Sequence, residues 1–138
     1  MSNSKNIDIA KNVIDIESKA VAAIADKIGK SFEDAVSSIL NCSGRLIILG
    51  MGKSGLISQK IAATMSSTGT PSHFVHPADE FHGDLGMITK DDVVFMISNS
   101  GETNELLQII PALKKKRFLQ LACLVKKIQL CLTVLIML

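Results

Sequence analysis

Two short loops hold most of the residues that could do chemistry. They are Gly50-Met51-Gly52-Lys53-Ser54-Gly55 and Ser98-Asn99-Ser100-Gly101-Glu102-Thr103. The first is a GxGxxG directly after an aliphatic run, a pattern that can seat a pyrophosphate over a helix N-terminus. A dinucleotide site also needs an acidic ribose ligand where the second strand ends, and the chain has His76-Pro77-Ala78 there. Gly52-Lys53-Ser54 matches the end of a P-loop, but the glycine required five positions earlier is replaced by Ile47. What survives is an anion loop, with backbone N–H groups, the Lys53 charge and the Ser54 hydroxyl facing one ligand. A plain strand-to-helix turn is the competing reading.

In the second loop, Ser98, Ser100 and Thr103 place three hydroxyls within six residues around Gly101. Hydroxyls and N–H groups can surround phosphate oxygens while the helix dipole favours the negative charge, and no metal is required. Ser100 or Thr103 could instead cap the next helix. A single cap uses one hydroxyl, so three of them favour phosphate. His73 and His76 have an odd spacing that sends them to opposite faces of an extended strand, so no metal site is expected from them.

The elements that must position these loops follow from periodicity. Apolar residues from Ala10 to Ile28 keep the three-and-four spacing of one long amphipathic helix. Ser31, with Glu33 and Asp34 behind it, suggests an N-cap for a second helix ending near Cys42-Ser43-Gly44. Leu46 to Leu49 is a short aliphatic run rich in β-branching and suited to a strand buried on both faces, followed by helix to about Ser67. Ser72 to His76 and Val93 to Ile97 read as further strands, the latter entered through the turn Lys90-Asp91-Asp92. Glu105 to Lys116 is helical again, and Leu119 to Val125 can supply a fourth strand. Such alternation predicts an α/β fold, a three-layer αβα sandwich around a parallel sheet, with ligands outside the carboxyl ends of the strands. Both loops fall at such ends.

With 138 residues and 47% hydrophobic content, one domain with a real core is expected. Aromatic residues make up 4%, without Trp or Tyr, which argues against base stacking and nucleic-acid binding. Residues 1–105 carry 9 basic and 13 acidic groups, whereas residues 106–138 carry 6 basic and no acidic ones. We read Lys114 to Arg117 as a solvated helix end. Cys42, Cys123 and Cys131 contain no CxxC pair and leave one thiol over under any pairing, which suits a reducing compartment. Met1 to Ala10 lacks the apolar core of a secretory signal, and Lys126-Lys127 divides the apolar stretch Phe118 to Leu138 into pieces too short to span a bilayer. A cytoplasmic protein without a membrane anchor is expected.

Three segments, GMGKSG, STGTPSHFVHPADEFHGDLGM and SNSGETNE, resemble successive motifs of the SIS domain of arabinose 5-phosphate isomerases. The resemblance covers about residues 10–116. It implies interconversion of D-arabinose 5-phosphate and D-ribulose 5-phosphate for Kdo, in lipopolysaccharide or capsule biosynthesis. No cofactor is implied, and assembly into a homotetramer or dimer is. The phosphate-binding hydroxyls would fall on Ser54, Ser98, Ser100 and Thr103. Lys53 would face the substrate, Glu105 would be an acid–base carboxylate, and His82 would line the site. A non-catalytic module that binds a sugar phosphate for regulation is the alternative.

Residues 117–138 depart from that pattern. A further catalytic carboxylate and a Thr/Ser-rich segment are expected there and do not appear, and Ile128 to Leu138 is Leu-rich in a way that suits a shifted reading frame. The chain is therefore expected to divide into an SIS domain over 1–116 and an atypical apolar tail over 117–138. On this reading the phosphate site is nearly complete and the catalytic set is not.

Overall fold

The computed structural model describes residues 3–78, 84–115 and 119–124. Helix α1 (Asn3–Ala22) leads through a 3-10 turn (Ala25–Lys27) to α2 (Lys30–Leu40). Then β1 (Leu46–Gly50), α3 (Gly52–Ser67) and β2 (Ser72–Val75) alternate. After a 3-10 turn (Asp84–Met87) come β3 (Val93–Ser98), α4 (Asn104–Lys115) and β4 (Leu119–Leu124).

All described strand pairs are parallel, in the order β2-β1-β3-β4. Alternation along each strand divides the core in two. Ile47, Leu49, Val94 and Met96 pack with Leu106, Ile109 and Leu113 of α4. Leu46, Ile48, Val93, Ile97 and Leu121 pack with Ala35 of α2 and Ala62 of α3. Helices on both faces make the three layers expected, and explain why the strands are continuously apolar rather than alternating.

Two expectations near the N-terminus are corrected. The predicted single helix from Ala10 to Ile28 ends at Ala22, where bonding tightens to Ile24 N–H donating to Val21 C=O (3.0 Å). Apolar periodicity continues through this break because α-helical and 3-10 turns place side chains on nearly the same face. Ser31 is not the N-cap of α2. Gly29 occupies that place in an extended conformation, and its carbonyl accepts from Phe32 and Glu33 N–H.

At the foot of the sheet, Asp92 is 2% exposed and joins the starts of β1 and β3. Its Oδ1 accepts from the Arg45 backbone N–H (2.6 Å), and its Oδ2 from Thr89 N–H (2.8 Å) and Arg45 Nη2 (3.3 Å). Val93 N–H donates to Arg45 C=O (3.0 Å), and Gly44 N–H to Asp91 C=O (2.9 Å). In β4, Gln120 lies opposite Val94 and is 1% exposed, while its Oε1 finds no hydrogen-bond partner among the described residues.

Candidate functional site

Strand order decides where a ligand can sit. From β1 the chain crosses to β2 on one side, and from β3 it crosses to β4 on the other. The carboxyl ends of β1 and β3 therefore flank the point where the winding reverses, the place where open parallel sheets leave a crevice. Both sequence-predicted loops begin there. Gly50 pairs in register with Ile97, so the chain leaves β1 at Met51 beside Ser98, the last residue of β3.

The first loop is a turn of minimal length: Met51 alone separates β1 from α3, and Gly52 takes a positive φ of 53°. Lys53 is exposed and Ser54 half-buried, both in the first turn of α3, where N–H groups lack intrahelical acceptors. Gly50 serves a different need from turn-making. A Cβ placed on it would lie 2.5 Å from Ser58 Oγ and 2.8 Å from the Ser54 carbonyl oxygen. The buried Ser58 hydroxyl donates to Ser54 C=O (2.8 Å) and cannot yield without losing that bond. Gly50→Ala should cost about 2 kcal/mol in urea unfolding, and a midpoint unchanged from wild type would contradict the close approach.

The second loop is organised by its own hydroxyls. Ser98, 4% exposed at the end of β3, lies 2.9 Å Oγ to Oγ1 from Thr103 and accepts from Gly101 N–H (3.0 Å). Ser100 Oγ accepts from Glu102 N–H (3.1 Å). A φ of 74° at Gly101 folds the loop back so that its N–H reaches Ser98. Thr103 C=O accepts from Leu107 N–H (2.9 Å), which opens α4. Its hydroxyl faces Ser98, so the structure brings Ser98 and Thr103 together beside Gly101, while Ser100 turns to the Glu102 N–H.

Glu105 is half-buried in the first turn of α4, adjacent to this cluster along the chain. His82 lies outside the described residues. The N-termini of α3 and α4, on opposite faces of the sheet, thus both lie at the carboxyl end of its strands, one with Lys53 and Ser54 and the other with the Ser98–Thr103 pair. That arrangement suits a phosphate monoester, with donors from two helix ends and several hydroxyls. Sequence reasoning missed Ser58, whose buried hydroxyl supports the first loop. The signal was there in the four-residue step from Ser54, one helical turn. A cavity of about 450 Å³ lies at the opposite end of the sheet, beside Cys42 and Lys90 to Val93, and neither loop lines it.

The sequence pattern of the family described as "SIS domain" matches residues 39–127. Arabinose 5-phosphate isomerase KdsD of Yersinia pestis is 51% identical over 109 residues, covering 79% of this chain and 33% of the relative. The Pseudomonas aeruginosa protein of the same name is 49% identical over 118 residues, 83% of this chain and 36% of the relative. The chain thus spans about a third of the length of these curated relatives. Among solved structures, c3406 of E. coli CFT073 in complex with arabinose 5-phosphate superposes with a TM-score of 0.84 at 39% identity, covering 99% of this chain and 77% of that one. No helix among the described residues is long and apolar enough to cross a membrane.

Proposed function

The chain belongs to the SIS domain family, and on that footing we propose that it binds a pentose phosphate between the heads of β1 and β3 and interconverts D-arabinose 5-phosphate with D-ribulose 5-phosphate. The observation that carries this reading is the Ser98–Thr103–Gly101 cluster, set at the reversal of the sheet beside the Gly52-Lys53-Ser54 turn. Relatives named for this activity and a like-folded protein solved with arabinose 5-phosphate support it.

In this reading Ser54, Ser98, Ser100 and Thr103 hold the phosphate, which fixes C1 and C2 of the sugar against Glu105. The Glu105 carboxylate removes the C2 proton of the aldose and returns it to C1, while a second proton passes from the C2 oxygen to the C1 oxygen. Lys53 faces the negative charge of the enediolate, where a fixed cation stabilises the transition state more than the ground state. His82 carries the proton between the two oxygens. Self-association into a dimer or tetramer belongs to the same reading.

Calorimetric titration with D-arabinose 5-phosphate, together with a turnover assay, tests the proposal. Ser98→Ala should weaken binding roughly 10- to 100-fold, since a hydroxyl bonded to a charged group contributes about 1.5–3 kcal/mol and Ser98 also holds Gly101. Wild-type protein that fails to bind the sugar phosphate would sink the reading. Binding without turnover would move the chain to the non-catalytic alternative.

A further inference from the structure

The buried residues of α3 are Gly55, Ser58 and Ala62, one stripe of small side chains laid against the sheet. At Gly55 the helix backbone comes so close to the end of β1 that a Cβ there would lie 2.8 Å from the Gly50 carbonyl oxygen. Ser58, 0% exposed, brings the one hydroxyl of this stripe. Alanine would fill such a place with better helix propensity and no polar group to satisfy. A buried residue that goes against local preference points to a role beyond packing.

Its hydrogen bonds show what that role acts on. Ser58 Oγ donates to Ser54 C=O (2.8 Å) and lies 3.4 Å from Leu49 C=O, so one hydroxyl bridges the first turn of α3 and strand β1. The Ser54 carbonyl shares a planar peptide unit with the Gly55 N–H, which donates to Met51 C=O (3.1 Å). That peptide is therefore held at both ends. Gly52, Lys53 and Ser54 precede it, and their N–H groups come before the first intrahelical bond. Met51, in the cap position, gives them no side-chain acceptor. These are the donors that the first loop offers to an anion, and donors already fixed bind without the cost of ordering them.

We propose that Ser58 is a positioning residue for the phosphate: fully buried, it touches no ligand, and by fixing the Ser54–Gly55 peptide against β1 it aims the Lys53 and Ser54 N–H groups and the Ser54 hydroxyl. The proposal rests on the anion-binding part of the functional reading and is independent of Glu105. Ser58→Ala leaves the helix intact and frees the Ser54 carbonyl to tilt. It should weaken D-arabinose 5-phosphate binding roughly 3- to 10-fold, the share of one neutral hydrogen bond. The loss belongs to binding, so KM should rise by that factor while kcat stays within about twofold.

Calorimetry of the full chain with D-arabinose 5-phosphate, and again with inorganic phosphate, tests it. Both ligands should weaken by the same factor in Ser58→Ala, because the lost alignment is at the phosphate. Ala62→Gly, one turn further along the same stripe, should lower the unfolding midpoint and leave both affinities unchanged. Unchanged affinity in Ser58→Ala, or a fall in kcat at constant KM, would overturn the proposal. An equal loss of affinity in Ala62→Gly would overturn it too, by tracing the effect to helix stability alone. Wild type that binds neither ligand removes the anion site itself, before any variant is compared. Hydrogen exchange of wild type covers the case in which Ser58→Ala does not fold. The Gly55 amide should be protected in the free protein, with Lys53 and Ser54 amides gaining protection only when inorganic phosphate is added. A Gly55 amide that exchanges as fast as that of Lys53 would mean the peptide is not held, and would overturn the proposal.

Discussion

Asp92→Asn should lower the unfolding free energy by about 3 kcal/mol in urea denaturation at pH 7. Both carboxylate oxygens accept a backbone N–H, one from Arg45 and one from Thr89, so either orientation of an asparagine amide sets its NH₂ against a donor. The effect is discounted from that of a fully buried ion pair because the Arg45 side chain is 40% exposed. Burial alone would push the Asp92 carboxyl upward, but the hydrogen bonds from Thr89 and Arg45 outweigh it and hold the group below the usual carboxylate range.

The sign of the pH dependence follows. A depressed folded-state value means that the unfolded chain binds the proton more readily. The stabilisation is therefore complete above the unfolded carboxyl's value, near pH 4, and is lost as pH falls through the lowered folded value. The stability difference between wild type and Asp92→Asn should shrink below pH 4. A difference that stays constant down to pH 2 would show that the carboxylate charge plays no part.

The second large effect concerns chemistry. Glu105→Gln keeps the shape of the first turn of α4 and removes the proton acceptor. If Glu105 is the base, kcat for arabinose 5-phosphate should fall by about 10² to 10⁴ with KM little altered, because the hydroxyls proposed to hold the phosphate belong to other residues. Ser98→Ala should show the converse split, with affinity reduced more than kcat. Equal loss of both constants in Glu105→Gln would point to a collapsed loop, and unaltered kcat would remove Glu105 from the mechanism.

Sequence and structure agree where a local pattern had no competing outcome. Leu46 to Leu49 became β1 with one residue added, Val93 to Ile97 became β3 ending at Ser98, and α4 spans Asn104–Lys115 against an expected Glu105 to Lys116. Leu119 to Val125, read as able to supply a strand, contains β4. Runs of buried β-branched residues allow few alternatives in a parallel sheet. Local pattern was less decisive at Gly29 and Ser31, where a hydroxyl in cap position yields to a glycine whose carbonyl reaches the first turn more directly.

The site was legible in part for a related reason. Hydroxyl clusters and glycine spacing are local, so both loops could be found along the chain. Their adjacency depends on strand order, which no single loop reveals. Asp92 was read as a turn residue, and its pairing with Arg45, 47 positions away, has no local signature. The close contact of Gly50 with Ser58 likewise appears only once α3 is laid against β1.

The two ends of the β1–β3 boundary are held by different means. Its foot is fastened by Asp92, whereas at its head lie two loops carried by helices on opposite layers. A phosphate gripped by both loops would close that head like a clasp across the sheet. Substrate occupancy would then tie the α3 layer to the α4 layer, and the central seam would resist opening from both ends only while the site is filled.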